Sequence, residues 1–292
     1  MTEPKPTRTM FHPALVEARV AEQIAESPQT LSPAYKLAFQ DDDFLLRPDL
    51  RPVRFQLELL KPELLLEEAN IATTFVFYGS ARIPEPSKAD ALLEAAATQQ
   101  QQLIAERLKA KAHYYDEARK LAQRVSRIRP DADGRRQFVV CSGGGPSIME
   151  AANRGAADEG QESIGLNIVL PHEQLPNEYV TPSLSFRFHY FALRKMHFLL
   201  RARAVAVFPG GFGTFDEAFE LLTLVQTGKV KPMPILFFGR DYWRRVVNFD
   251  ALVEEGVIAA ADLELFCFCE TAEEAWDEVC RYYAGGEEDP AA

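Results

Sequence analysis

The sequence predicts an α/β fold that consists of a doubly wound, mostly parallel, Rossmann-like sheet. Short, continuously apolar runs recur along the chain, as expected of parallel strands that are covered on both faces. Segments with helical patterning follow nearly every run, and this alternation is typical of such sheets. The chain has 292 residues, 47% of them hydrophobic, which is enough for one large domain or two modest ones.

An N-terminal helical extension is predicted over residues 1–70. Helical patterning covers 12–27 and 54–70, and four prolines interrupt the segment between them. About the first 10 residues are polar and contain two prolines, so we expect them to be flexible, and we expect the same of the tail at 285–292. The first residues also lack the apolar core of a signal peptide.

The α/β domain is predicted to span residues 71–284. Its predicted strands are Thr74–Tyr78, Phe138–Cys141, Ser163–Ile168, Ala204–Phe208, Ile235–Phe238 and Leu265–Phe268. Its predicted helices cover residues 146–159, 189–202, 214–227, 242–255 and 272–283. An insertion at 86–128, after the first strand, is rich in Ala, Leu, Gln and Glu and contains no glycine. This composition predicts one or two long helices.

Charge and cysteine content disfavour several classes of protein. The formal net charge of −11 argues against a general nucleic-acid binder, because nucleic acid demands a basic face, although local arginines could still hold a small anion. The four cysteines form no C-x-x-C pair, so we expect reduced, buried thiols. No apolar run approaches the roughly 18–20 residues that cross a bilayer. We therefore expect a cytoplasmic protein with no membrane partner.

Three glycine-bearing turns follow predicted strands, at the edge where open α/β sheets bind ligands. They are Gly79-Ser80, Gly143-Gly144-Gly145 and Pro209-Gly210-Gly211-Phe212-Gly213-Thr214. Glycines let backbone N–H groups approach a ligand closely, and the positive end of a helix attracts anions. The third turn, which leads into a predicted helix, therefore indicates a phosphate site. The alternative is that these glycines merely make tight strand-to-helix turns.

Neither common nucleotide fingerprint fits these turns. A Walker A loop requires a lysine that none of them has. In the dinucleotide fingerprint G-x-G-x-x-G, the third glycine position is Ile148 when counted from Gly143 and Asp216 when counted from Gly211. The sequence therefore disfavours an ATPase and an NAD-dependent dehydrogenase.

Charged residues lie on both sides of the strand that precedes the third turn. Arg194 and Lys195 fall in the second turn of the predicted helix 189–202, and Glu217 follows the glycines. Arg194 and Glu217 are separated by about one helix, a strand and a turn, so both could reach one cleft. Arginine suits bidentate recognition of phosphate or carboxylate. A solvated helix face is the alternative for the Arg-Lys pair.

The third turn together with Glu217 resembles the P-G-G-x-G-T-x-x-E signature of the LOG family. These proteins are cytokinin riboside 5′-monophosphate phosphoribohydrolases, long misnamed lysine decarboxylases. Arg194-Lys195 matches the family's Arg-Lys step, and the first two turns resemble its nucleotide-facing turns. The resemblance covers about residues 72–283 without the insertion. The extension, the insertion and the segment Ser147-Ile148-Met149-Glu150, which lacks a glycine near its methionine, depart from the family pattern.

The resemblance implies hydrolysis of the N-glycosidic bond of a nucleoside 5′-monophosphate, such as AMP or a cytokinin riboside 5′-monophosphate. It implies that Arg194 and Glu217 are catalytic and that Lys195 supports them electrostatically. The other expected substrate-binding residues are Gly79, Ser80, Gly143, Gly144, Gly145, Tyr190, Gly210, Gly211, Gly213 and Thr214. Among these, Tyr190 could stack on the base, but ordinary core packing is its alternative.

No metal or cofactor is implied, and the five histidines show no ligand spacing such as H-E-x-x-H. The resemblance implies a homodimer or higher homo-oligomer. The helices of the extension and the insertion could bury surface between subunits or could cap the monomer. The alternative function is a non-catalytic carrier or sensor of a nucleotide or of the molybdenum cofactor. The preferred base is not predicted.

Overall fold

The computed structural model describes residues 11–171 and 175–285. The helices of these ranges are α1 (Ala14–Ala21), α2 (Asp42–Leu45), α3 (Arg51–Glu68), α4 (Pro86–Glu94), α5 (Gln99–Lys109), α6 (His113–Ser126), α7 (Ile148–Asp158), α8 (Phe191–Leu200), α9 (Phe212–Gln226), α10 (Arg240–Val246), α11 (Phe249–Glu254) and α12 (Ala272–Ala284). The strands are β1 (Thr74–Tyr78), β2 (Val139–Ser142), β3 (Ile164–Ile168), β4 (Ser185–Phe188), β5 (Ala202–Val207), β6 (Ile235–Phe238) and β7 (Cys267–Cys269). The flexible ends predicted at 1–10 and 285–292 lie outside the described residues, apart from Gly285.

The strands form one parallel sheet in the order β4-β3-β2-β1-β5-β6-β7. This arrangement confirms the predicted doubly wound α/β fold. All five residues of β1, at the centre, are buried, as expected of a parallel strand that is covered on both faces. The chain leaves β1 toward β2 and leaves β5 toward β6, in opposite directions along the sheet. The crevice between these two strands is the topological switch point, where such sheets bind ligands.

The six predicted strands are all present. β1 and β6 match their predicted bounds, and the other four begin and end within two residues of them. The prediction missed β4, an edge strand in which buried Phe186 and Phe188 alternate with the more exposed Ser185 and Arg187. Because only one of its faces is covered, β4 lacks the continuous apolar run by which the other strands were recognised.

The insertion contains three helices, α4, α5 and α6, so the prediction of one or two long helices over 86–128 is wrong. The helix-breaking signal is a capping box: the Thr98 side chain accepts from the Gln101 N–H, and the Gln101 side chain accepts from the Thr98 N–H. This T-x-x-Q pattern starts a new helix without any glycine or proline.

The single helix predicted over 242–255 is also wrong, because two helices occupy this region. Val247 has extended backbone angles after the end of α10. Asn248 then accepts a hydrogen bond from the Ala251 N–H at 3.1 Å and so caps α11.

Backbone contacts divide the chain into two units between Leu57 and Glu58. In the first unit, Arg54 Nη1 donates to the carbonyls of Leu45 and Arg47 at 2.6 and 2.7 Å. The second unit contains the sheet and the remainder of α3. The helical patterning of 12–27 and 54–70 corresponds to α1 and α3, and the domain boundary at residue 70 stays a prediction.

All four cysteines are free thiols. Cys141 and Cys269 are buried and Cys267 is half-buried, but Cys280 is exposed, so the expectation of buried thiols is wrong for Cys280. Within 11–171 and 175–285, no helix is both long and apolar enough to cross a membrane. The same ranges contain no group of three or more His, Cys, Asp or Glu side chains that could hold a metal ion.

Candidate active site

The three glycine-bearing turns lie together at the carboxyl edge of the sheet. The Ser80 N–H donates to the Pro209 carbonyl at 3.1 Å, and the Ile148 N–H donates to the Ser80 carbonyl at 3.4 Å. The first turn therefore contacts the third turn and the start of α7, the helix that follows the second turn. A Cβ at Gly79 would lie 2.6 Å from Ile148 Cγ2, so this close approach requires glycine. The turns predicted from the sequence thus meet at the switch point.

Polar side chains of neighbouring residues hold the backbone of the second turn. Gly144 has φ +70°, and a Cβ there would lie 2.6 Å from Asn167 Oδ1. The Asn177 amide nitrogen donates to the carbonyls of Gly144 and Gly145 at 3.1 and 2.9 Å. The Gly144 N–H donates to the Ser142 hydroxyl at 3.0 Å. The turn is therefore held in one conformation by side chains of the protein itself.

Gly143 makes room for the predicted catalytic arginine. A Cβ at this position would lie 2.7 Å from Arg194 Nη2 and 2.8 Å from Met149 Sδ. Any larger residue would have to displace one of these side chains. The absence of a side chain at Gly143 thus leaves the space that the Arg194 guanidinium occupies.

The third turn is tight on one side and open on the other. A Cβ at Gly210 would lie 2.2 Å from Thr214 Oγ1, and Thr214 is buried. The Tyr242 hydroxyl donates to the Gly210 carbonyl at 2.5 Å. In contrast, a Cβ at Gly211 or Gly213 would meet no atom within 4 Å. Internal packing therefore requires glycine at position 210 but does not require it at Gly211 or Gly213.

The start of α9 has no capping side chain. Gly211 is its N-cap residue and makes no side-chain cap hydrogen bond. The first N–H groups of a helix lack partners within the helix and carry partial positive charge. Gly211 and Gly213 are exposed, so an anion can approach the backbone at this helix start.

Arg194 of α8 and Glu217 of α9 form an ion pair beside these turns. Arg194 Nη1 lies 3.0 Å from Glu217 Oε1, and the two side chains are only 11% and 15% exposed. Arg194 Nε donates to the Leu166 carbonyl at 2.7 Å, and its guanidinium lies 4.9 Å from the centre of the Phe198 ring. The structure thus brings together two residues that are 23 positions apart in the sequence.

Burial of this pair changes the protonation of the carboxylate. Burial raises the pKa of Glu217 to about 7, although the charge of Arg194 opposes this rise. Asp216 raises the pKa further and Lys195 lowers it. The pKa of neighbouring Tyr78 is raised by burial and also by the charge of Glu217. Glu217 is consequently poised between its two protonation states at neutral pH.

Lys195 connects the same two helices on a more exposed side. Its Nζ lies 2.9 Å from Asp216 Oδ1 and 2.9 Å from Glu220 Oε2. Burial lowers the pKa of Lys195, but the hydrogen bonds to Glu220 and Asp216 outweigh burial and raise it. Lys195 therefore remains charged.

Tyr190 contributes its backbone at the start of α8. Its carbonyl accepts from the Arg194 N–H at 3.1 Å, and its own N–H donates to Glu58 Oε2 at 3.1 Å. The Tyr190 side chain is half-buried and lies edge-on to the ring of His189. Stacking of Tyr190 on a base stays a prediction.

Sequence reasoning missed several residues of this site, among them four from separate parts of the chain. Tyr78 ends β1, Asn177 lies in the loop between β3 and β4, Tyr242 lies in the first turn of α10, and Glu58 precedes the whole sheet in the chain. Asn177, Tyr242 and Glu58 contact backbone atoms of distant residues. Such contacts leave no pattern of residue types, so no motif could have found these three. The continuously apolar run of β1 indicated a core strand and gave no sign that Tyr78 lies near a charged pair.

The chain is similar in sequence to proteins of one family. Residues 149–279 match the family model described as "Possible lysine decarboxylase". The chain is 30% identical over 142 residues to the probable cytokinin riboside 5′-monophosphate phosphoribohydrolase LOG4 of Oryza sativa subsp. japonica, a match that covers 47% of this chain and 59% of the rice protein. It is 27% identical over 174 residues to the probable phosphoribohydrolase LOG6 of Arabidopsis thaliana, covering 59% of this chain and 82% of that protein. The match spans less than two thirds of the length of the rice relative. Together, the family model and the two relatives confirm the resemblance to the LOG family.

Two solved structures are similar over most of this chain. TM1055, a structural genomics target, is 16% identical, with 72% of this chain and 99% of that chain covered and a TM-score of 0.44. A molybdenum-cofactor carrier protein of Chlamydomonas reinhardtii is 15% identical, with 73% and 99% covered and a TM-score of 0.41.

Proposed function

We propose, from its resemblance to the LOG family, that this protein hydrolyses the N-glycosidic bond of a nucleoside 5′-monophosphate. The products are the free base and ribose 5-phosphate. One observation carries the proposal: the buried Arg194–Glu217 pair lies on helices that meet beside the start of α9, where Gly211 and Gly213 are exposed and the N-cap residue makes no side-chain cap hydrogen bond. A carboxylate next to an anion site suits a substrate that carries a phosphate on a sugar.

The phosphate is proposed to bind at the start of α9. The N–H groups of Gly211, Gly213 and Thr214 would donate to its oxygens, and the helix dipole would favour its charge. Gly211 and Gly213 support this assignment because the protein's own packing does not require them to be glycine. The Thr214 side chain packs against Gly210, so we assign the main share of phosphate binding at Thr214 to its N–H.

Glu217 is proposed to act on the sugar. As the bond between C1′ and the base nitrogen breaks, positive charge develops on the ribose ring. The carboxylate of Glu217 stabilises this charge and can accept a proton from the attacking water. The oxygen of that water forms the new bond to C1′, while the electron pair of the broken bond leaves with the base, which takes up a proton.

Arg194 is proposed to orient the ribose or the phosphate. Its hydrogen bonds to Glu217 and to the Leu166 carbonyl hold the guanidinium in one place before substrate binds. Lys195 acts at longer range, because its charge lowers the pKa of Glu217 and favours the ionised form. In this mechanism Gly143 serves by leaving space for Arg194.

The experiment is to incubate the purified protein with AMP, GMP, CMP, UMP and isopentenyladenosine monophosphate and to measure free base by chromatography. We expect base and ribose 5-phosphate in a 1:1 ratio from at least one of them. Adenosine, which lacks the phosphate, is the matched control substrate and should be cleaved far more slowly than AMP.

Two other results would contradict parts of the proposal. Nucleotide that binds without any release of base would favour the carrier alternative over the hydrolase. Equal rates of cleavage of AMP and adenosine would contradict the proposed phosphate site at the start of α9. This result would not contradict the proposed role of Glu217.

A further inference from the structure

Within the second unit, Glu58 of α3 contacts the backbone that leads into α8. Its Oε1 accepts from the His189 N–H at 2.9 Å, and its Oε2 accepts from the Tyr190 N–H at 3.1 Å. One carboxylate therefore holds two consecutive backbone donors that lie more than 130 residues away in the sequence. A negative charge at this end of a helix is favourable, because the helix dipole is positive there.

The side chain that makes these two contacts comes from α3. Tyr190, the N-cap residue of α8, makes no side-chain cap hydrogen bond. The short link between β4 and α8 thus relies on a carboxylate from α3. It also means that the start of α8 is already occupied by an anion of the protein, unlike the start of α9.

The contact leads directly to the proposed catalytic arginine. Tyr190 uses its N–H for Glu58 and its carbonyl for the Arg194 N–H at 3.1 Å. A single residue therefore lies between the Glu58 carboxylate and the backbone of Arg194. From there, the Arg194 side chain reaches Glu217 at 3.0 Å. We propose that Glu58 is a positioning residue that fixes the start of α8 and, through it, the Arg194–Glu217 pair.

Other contacts between α3 and α8 lie toward the C-terminal end of α8, including one between Glu63 Oε1 and His197 Nδ1 at 3.6 Å. His197 Nε2 lies 3.2 Å from the Glu58 carbonyl, and Arg201 Nη2 donates to Glu63 Oε2 at 3.0 Å. Glu58 thus contacts the backbone that leads into α8, while Glu63 contacts His197 and Arg201 near the C-terminal end of this helix. These two carboxylates of one helix provide a matched pair, because Glu58 contacts the residue whose carbonyl accepts from the Arg194 N–H, whereas Glu63 contacts His197 and Arg201 toward the other end of α8.

The kinetic test of this inference rests on the proposed function. A second measurement, the pKa of Glu217, does not require turnover. Arg194 lowers the pKa of Glu217. If Arg194 moves away, this pKa rises above about 7. A carbon-13 NMR titration of the Glu217 carboxyl group measures this change in the absence of substrate. A purely structural role of Glu58 would lower thermal stability without changing this pKa.

The experiment compares Glu58→Ala, Glu58→Gln and Glu63→Ala by steady-state kinetics, thermal unfolding and the NMR titration. Small misplacement of a catalytic group costs up to about 100-fold in rate, so we expect kcat of Glu58→Ala to fall by about 10- to 100-fold, with a smaller change in KM. Glu58→Gln keeps one acceptor oxygen and should fall between Glu58→Ala and the wild type. It also serves as the test if Glu58→Ala does not fold. Glu63→Ala should keep kcat within about twofold of the wild type, whatever stability it loses.

Equal losses of kcat in Glu58→Ala and Glu63→Ala, with an unchanged pKa of Glu217 in both, would overturn the inference. If no nucleotide is hydrolysed even by the wild type, the proposed function fails by itself. The titration then still decides the role of Glu58, since a higher pKa of Glu217 in Glu58→Ala alone supports positioning and an unchanged pKa refutes it.

Discussion

The helices α8 and α9 both start at the carboxyl edge of the sheet and are joined by the Arg194–Glu217 pair, but their N-termini differ. The start of α8 is held by the Glu58 carboxylate at 2.9 and 3.1 Å. The start of α9 has no side-chain cap, and Gly211 faces open space. A carboxylate of the protein thus lies at the backbone that leads into α8, whereas the N-cap residue of α9 makes no side-chain cap hydrogen bond.

This difference indicates two separate tasks. A helix N-terminus attracts negative charge, so a start that is already paired with a carboxylate is suited to hold its helix still. A start without such a partner is suited to receive the charge of a ligand. Under the proposed function, α8 supplies a fixed arginine, and α9 supplies both the phosphate site and the reacting carboxylate.

The largest expected effect comes from removing the charge where the two helices meet. Glu217→Gln should reduce kcat by about 1,000-fold, since removing one group that stabilises transition-state charge costs about 100- to 1,000-fold and this variant also loses the proton acceptor. Nucleotide binding should remain within about threefold, because the phosphate site on α9 is untouched. Turnover is measured by release of base, and binding by calorimetry.

Asp216→Asn is the matched control for Glu217→Gln. Asp216 lies next to Glu217 in the sequence, but its side chain is 58% exposed and pairs with Lys195. We expect its kcat to stay within about threefold of the wild type. Equal losses in the two variants would mean that the general charge of α9, and not the carboxylate of Glu217, supports the reaction.

A smaller effect distinguishes the tasks of the two helices directly. At Gly211 a Cβ meets no protein atom, so Gly211→Ala should leave thermal stability unchanged but obstruct the phosphate. Loss of one hydrogen bond to a charged group costs about 1.5–3 kcal/mol, so KM should rise by about 10- to 100-fold. Gly143→Ala places a Cβ 2.7 Å from Arg194 Nη2 and should instead lower kcat.

Steady-state kinetics with the best nucleotide substrate separates these two outcomes. If Gly211→Ala changes neither KM nor kcat, the phosphate does not bind at the start of α9. A rise in KM for both variants, with kcat unchanged, would mean that Arg194 is part of the phosphate site and not of the reacting centre.

The sequence predicted more of α9 than of α8. Glu217 and its glycines form one continuous signature, so residue types and spacing identified them together. Arg194 needed the family resemblance, because an Arg-Lys step on a helix is equally consistent with a solvated face. Glu58 could not be predicted, since its partners are backbone N–H groups that every residue except proline possesses.

The errors in the fold have a similar cause. Continuous apolar runs such as β1 identify strands whose two faces are both covered, whereas β4 is an edge strand with one covered face. The break between α4 and α5 and the break after α10 coincide with single capping residues, Thr98 and Asn248. Composition over a long segment does not reveal such local starts, but the T-x-x-Q pattern at Thr98 was present in the sequence.

The smallest expected effect is a dependence of kcat/KM on pH. We expect it to come from the Glu217 carboxylate of α9 and not from a residue of α8. The reaction requires the ionised carboxylate, and burial raises the pKa of this group to about 7. The active form is therefore lost as the pH falls through about 7, so kcat/KM should fall by about tenfold for each pH unit below it. Measurement of kcat/KM with AMP between pH 5.5 and pH 8.5, at about 0.5-unit steps, checks this limb; a flat profile down to about pH 5 would show that Arg194 keeps the carboxylate ionised.

The same group should affect stability with the opposite sign. A carboxylate whose pKa is raised by folding holds its proton more tightly in the folded state, so its contribution to stability is present below the pKa of the unfolded chain and is lost as the pH rises through about 7. Glu217→Gln resembles the protonated form at every pH, so this variant should be more stable than the wild type at pH 8 by up to roughly 3 kcal/mol. Near pH 4, where Glu217 is protonated in both states, the two proteins should unfold at nearly the same temperature. If Glu217→Gln is instead the less stable protein at pH 8, the ion pair with Arg194 outweighs burial, and α8 and α9 stabilise each other at the point where they meet.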